Sequence, residues 1–187
     1  MYGLTFGRLA AAIALMAAAA QGAHEHAAHE HGVARLNVSI GAKAVSIELE
    51  SPLANLLSFE HTPESEAEKK EANAMEDTLK KADAIFIFPK SANCKMVKVE
   101  LSMAHLDDDE DEEDDDEHAE HAEHAEHIDL DGDFDFECQN TAAIGTIGVE
   151  LFKFFPNIEE IEARVVTQKS QSAVELTPKE KTIKIGR

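Results

Sequence analysis

Positive charge is scarce in this chain. Its 187 residues carry 17 Lys+Arg against 38 Asp+Glu, a formal net charge of −21 at pH 7. A surface of that sign repels phosphate backbones and anionic headgroups, so nucleic acid and anionic membranes are excluded as partners and cations are favoured. Long apolar runs are also lacking: after Ala20 no stretch is long enough to anchor the mature chain in a bilayer. Catalytic signatures are missing as well. There is no Ser-His-Asp arrangement, no phosphate-binding Gly-rich loop and no dinucleotide turn. The closest approach to HExxH is His24-Glu25-His26-Ala27-Ala28, which has Ala where the second histidine is required. The expectation is a protein that is not an enzyme. Cysteine is limited to Cys94 and Cys138.

The N-terminus carries a targeting segment. Arg8 is the sole charge before residue 24, Leu9 to Ala20 is unbroken apolar sequence, and small residues follow. These are the three regions of a secretory signal peptide, assigned to residues 1–22 with cleavage between positions 18 and 23. Export to the periplasm follows, and with it an oxidising compartment. An even cysteine count there predicts a Cys94–Cys138 disulfide, worth roughly 4 kcal/mol in the chain-entropy account. Two free buried thiols are the alternative. If the cysteines are paired, no thiolate is left to select a soft metal ion.

Residues 23–32 form a polar, His-rich arm (HEHAAHEH at 24–31). Strict alternation then begins. Leu36, Val38 and Ile40 share one face, Val45, Ile47 and Leu49 another, and Gly41-Ala42-Lys43 joins them as a hairpin turn. SPLANLLSFEHTP is a connector with a short helical turn after Pro52. Thr62-Pro63 predicts a helix over 63–82, with Thr62 as N-cap and Ala67, Ala74, Met75, Leu79 and Ala82 on its apolar face. AIFIFPK, KMVKVELSM, DFDFECQ, GVELFKFF, IEARVVTQ, SAVELT and TIKIG read as strands, with a turn at Pro156-Asn157. The expected fold is α+β: a single domain over 33–187, built on antiparallel β-sheet, with one long amphipathic helix.

Between residues 104 and 129 the composition changes. Asp107 to Glu117 is eleven consecutive acids, and residues 118–127 read HAEHAEHAEH. Such sequence builds no core, so this is expected to be a disordered insertion. Because it falls between the cysteines, their bridge is expected to tie off its base.

Histidine carries the chemistry. Eight of the ten fall in two tracts: His24, His26, His29 and His31 in the arm, and His118, His121, His124 and His127 in the insertion. Neutral imidazole ligates zinc, copper and nickel. A three-residue spacing brings neighbours to one face of a helix and aligns all four on a polyproline-type backbone. Glu120, Glu123 and Glu126 offer oxygen ligands between them. The acidic run concentrates cations beside the tract. His61 precedes the helix, and packing of hairpin on helix would bring it together with His29 and His31 in one folded site. His105 reads as an ordinary histidine first and a ligand second.

The segments HEHGVARLNV, SPLANLLSFEHTP, the Cys94 region, the His- and acid-rich insertion, FDFECQN, ELFKFFPNIEEIEARVV and VELTP together resemble the ZrgA-type periplasmic zinc-binding proteins of Gram-negative bacteria. The resemblance covers nearly all of the mature chain, in order. It implies a periplasmic protein induced under zinc limitation, which assists zinc uptake beside an inner-membrane ABC transporter. It also implies metal ligands in the His-rich insertion and among the N-terminal histidines. Two rival readings stand beside it. One is an interaction module whose acidic loop docks a basic partner, with zinc incidental. The other is a nickel, cobalt or copper buffer, since imidazole and carboxylate serve all four metals.

Overall fold

Alternation decides the first two strands. The computed structural model describes residues 30–105 and 128–186, and it places β1 at Val33–Ile40 and β2 at Ala44–Pro52. Leu36 faces Leu49, Val38 faces Ile47 and Ile40 faces Val45 across an antiparallel ladder. All six are buried, as a period of two on a half-covered sheet requires. The Gly41 N–H donates to the Ala44 carbonyl at 2.9 Å and closes the turn.

The sheet grows outward from this hairpin. β2 pairs antiparallel with β5 (Ile128–Cys138), setting Val45 against Phe136 and Ile47 against Phe134. β5 pairs in turn with β4 (Cys94–His105). On the other side β1 lies parallel to β7 (Glu160–Thr167), which pairs antiparallel with β8 (Gln171–Leu176). The order is β4-β5-β2-β1-β7-β8, antiparallel except at β1–β7. Gly132 marks a tight point: a Cβ there would lie 3.0 Å from the Phe134 ring and 3.2 Å from Leu101.

The second layer covers the apolar face. It holds α1 (Glu66–Leu79), a one-turn α2 (Ala82–Ile85) and a three-stranded sheet. That sheet joins β3 (Phe86–Ile87), β6 (Thr146–Val149) and β9 (Thr182–Lys184), with β6 in the middle. Phe86 meets Phe134 and Phe136 edge-on at centroid separations of 5.2 and 6.2 Å, and Phe88 meets Phe136 at 4.9 Å. One continuous core results, and the α+β architecture expected from the sequence is the one observed. Among the described residues no helix is long and apolar enough to cross a membrane.

Several local expectations are corrected. The helix starts at Glu66, not after Thr62. Ser65 is its N-cap: the Ser65 hydroxyl accepts the Glu68 N–H, and the Glu68 carboxylate accepts the N–H groups of Ser65 and Glu64. This reciprocal capping box satisfies two orphan donors, which a lone Thr-Pro pair does not. The helix ends at Leu79, so Ala82 belongs to α2. Ala72, Met75 and Leu79 form the buried stripe, while Ala67 and Ala74 are exposed. AIFIFPK contributes two strand residues after its helical turn. GVELFKFF leaves the sheet at Val149 and forms α3 at Leu151–Phe154.

Cys94 and Cys138 are bonded, with Cα atoms 3.9 Å apart as direct cross-strand partners. Their place differs from expectation. The ladder runs from Cys94↔Cys138 to His105↔Ile128, so the bridge sits at the far end of the hairpin from the insertion. At ~3.3 Å per strand residue that separation is about 35 Å. Among the described residues, the backbone pairing of His105 with Ile128 closes the insertion's base. The expected signal peptide and the run 106–127 lie outside the described residues.

Candidate metal centre

The arm enters the sheet at Gly32, and one buried side chain fixes how. Gly32 has φ +84°, a left-handed conformation open to glycine and strained for other residues. Its N–H donates to Asn55 Oδ1 at 2.7 Å. Its carbonyl accepts the N–H groups of Glu159 and Glu160 at 2.7 and 3.0 Å. Asn55 Nδ2 donates to the Val33 carbonyl at 2.8 Å and to Ser51 Oγ at 3.2 Å. Asn55 is 2% exposed, so every polar atom it brings into the core has a partner.

Asn55 stands on the 3-10 turn Leu53–Asn55, which continues into the connector carrying Glu60 and His61. That connector is tied at its other end as well. The Ser58 N–H and hydroxyl both donate to the Glu71 carboxylate of α1, at 2.7 and 2.8 Å. Phe59 packs against the core. Beyond His61 the Glu64 N–H donates to the Glu68 carboxylate at 2.9 Å, so the segment between Ser58 and Glu64 presents Glu60 and His61 from a backbone held on both sides.

His31 lies directly before Gly32, and its Nε2 is 3.0 Å from Glu60 Oε1. The His31 side chain is 61% exposed and that of Glu60 35% exposed, so solvent reaches both. His61 is exposed. Its Nδ1 lies 2.9 Å from the Thr62 carbonyl, and its ring is 5.3 Å from that of Phe59. A carbonyl only accepts, so this contact puts the proton on Nδ1 and leaves Nε2 as the acceptor nitrogen. A ring N–H given to a carbonyl is also how metal-binding imidazoles are oriented.

The field around this corner is negative. Glu160, paired with Val33 at the start of β1, has its carboxyl pushed above the usual range. The main cause is Glu175, followed by desolvation and the charges of Glu162 and Glu30. Arg35 offsets part of this through an ion pair with Glu162 at 3.2 Å. Further along the same outer face, Glu50 lies opposite Asp131 and Glu48 opposite Asp133, while Glu100 flanks Asp133 from β4. Burial raises the Asp131 carboxyl above its usual range, and Glu50, Asp129 and Asp133 add to the effect.

Among the described residues no group of three or more His, Cys, Asp or Glu side chains is arranged to hold a metal ion. Of the histidines read as ligands, His31 and His61 are described, on adjoining segments; His31 meets Glu60, the neighbour of His61. His24, His26, His29, His118, His121, His124 and His127 lie outside the described residues. His105 ends β4 opposite Ile128. Sequence reasoning missed Asn55 and Glu60. The available signals were an Asn inside an otherwise apolar turn and a Glu beside the connector histidine.

Among curated proteins none matches the chain. A family model described as ZrgA family zinc uptake protein matches residues 28–185, from the last part of the arm through β9. That span takes in the Gly32 entry, the connector, the bridged hairpin and the whole sheet, and so the chain belongs to the ZrgA family of zinc uptake proteins.

Proposed function

We propose that the protein captures zinc in the periplasm and hands it to an inner-membrane ABC transporter, acting as a binding protein and not as an enzyme. Family membership in zinc uptake carries the reading. The histidine tracts supply the ligands: His24, His26, His29 and His31 with His61 on the folded side, and His118, His121, His124 and His127 in the insertion. The acidic outer face and the Asp107–Glu117 run raise the local cation concentration before capture.

The division of labour follows from preorganisation. The end of the arm is fixed at Gly32, and His61 sits between the Ser58 and Glu64 backbone ties. Ligands held this way lose less conformational entropy when they bind an ion, so the folded side takes the tighter zinc. The insertion takes additional ions less tightly. A transporter receptor of the two-lobed kind closes over its metal; a single continuous core with exposed ligands suits an accessory that passes metal on by ligand exchange.

Metal content after native purification tests the reading. Zinc should copurify in excess of nickel, cobalt and copper when all four are supplied. Excess nickel or copper would favour a buffer for those ions, and no metal at all would favour the acidic docking module.

A further inference from the structure

We propose that Glu60 is a zinc ligand that acts with His31, making this pair the folded core of the metal site. The proposal rests on the zinc-capture reading above and names a residue outside the histidine tracts.

Three observations carry it. The first is geometric. The His31 Nε2 to Glu60 Oε1 distance is 3.0 Å. Zinc bonds to imidazole nitrogen and carboxylate oxygen at about 2.0–2.2 Å. Two tetrahedral ligands at such bond lengths stand roughly 3.3 Å apart, so an ion replaces the contact after a shift of a few tenths of an ångström. The second is access. Both side chains reach solvent, so an ion enters without opening the core. The third is support. Asn55 fixes Gly32 next to His31, and Ser58 with Glu71 fixes the backbone two residues before Glu60. The pair is thereby supported from two segments, the end of the arm and the connector. His61, the next residue, offers Nε2 nearby with its Nδ1 already given to a carbonyl.

The test is a zinc titration of the full chain with His118, His121, His124 and His127 all replaced by alanine, which removes the insertion's imidazoles. Into this background Glu60→Gln, Glu60→Ala and His31→Ala are introduced separately. Glu60→Gln keeps the size and the hydrogen bond to His31 but removes the anionic oxygen. The expected result is a loss of at least tenfold in affinity for the tightest ion in all three variants, with an unchanged thermal midpoint in the absence of metal. If His31→Ala weakens binding while Glu60→Gln and Glu60→Ala bind like the parent, Glu60 is not a ligand and the zinc-capture reading stands. If Glu60→Gln binds normally and only Glu60→Ala is weakened, Glu60 orients His31 without touching metal, which also overturns the proposal. If the parent background takes up no zinc, the zinc-capture reading of the folded side fails with it.

Discussion

Asn55 Oδ1 accepts the N–H of Gly32 at 2.7 Å, while its Nδ2 donates to the carbonyl of Val33, so one amide clamps both sides of the peptide by which the arm enters the sheet. The two residues are 23 apart in sequence. Removing this amide takes the partner from a part-buried donor and a part-buried acceptor. At about 1–3 kcal/mol per orphaned group, and with both groups part-buried, Asn55→Leu should cost roughly 2–4 kcal/mol, the lower part of the range. Gly32→Ala should cost about 1 kcal/mol or more from backbone strain alone. His31→Ala, at an exposed position, should leave stability nearly unchanged. Urea unfolding of the three variants checks the ranking. An Asn55→Leu protein as stable as wild type would show that the clamp does not hold the arm.

Asp131 predicts a pH-dependent gain. Its carboxyl is held above the usual range by burial and by Glu50, Asp129 and Asp133. A raised folded-state value means the folded chain binds the proton more tightly than the unfolded chain. The stability cost is thus complete above the raised value and disappears below the ordinary carboxylate value. Asp131→Asn should stabilise the fold at neutral pH by a few tenths to about 1 kcal/mol, the range for a like-charge cross-strand pair. The difference should vanish near pH 3, where the acid is neutral in both states. Unfolding at the two pH values measures it, and a variant destabilised equally at both would contradict the assignment.

Much of the sheet was legible because its signal is local. Leu36, Val38 and Ile40 against Val45, Ile47 and Leu49 alternate without interruption, and both strands follow. The Cys94–Cys138 bridge was legible from an even count in a chain expected to be exported. Register was not: which pair of residues opposes which depends on the whole ladder, and the bridge proved to be remote from the insertion. Ala84 and Ile85 of α2, and Leu151–Phe154, were read as strand because a short apolar run fits either period. Their helical turns follow from tertiary hydrogen bonds such as Glu150 N–H to Ile85 carbonyl at 2.8 Å. The parallel β1–β7 pair joins segments more than a hundred residues apart and leaves no mark in either. At the metal centre the imidazoles were visible as residue types. Glu60 and Asn55 acquire their roles only when the connector folds back on the arm.

The insertion should be dispensable for folding. Pairing between β4 and β5 reaches His105↔Ile128 unaided, and no apolar residue larger than alanine lies between Leu106 and Ile128. Replacing residues 107–127 with a short Gly/Ser linker should leave the thermal midpoint nearly unchanged or slightly raised. Each halving of a loop lowers its closure cost by about 0.6 kcal/mol. A large drop in midpoint would show that the insertion packs on the domain.

The central claim is that the folded side holds the tightest zinc and the insertion adds weaker ones. The most direct measurement is a calorimetric zinc titration of three full-length forms. One is the unaltered chain. The second has His118, His121, His124 and His127 replaced by alanine, and the third has His24, His26, His29, His31 and His61 replaced. The account predicts that the second form binds fewer ions yet keeps the tightest one, while the third loses the tightest ion and keeps the weaker class. A second form that binds no zinc, beside a third that binds like the unaltered chain, would contradict it and leave the insertion as the whole metal-binding apparatus.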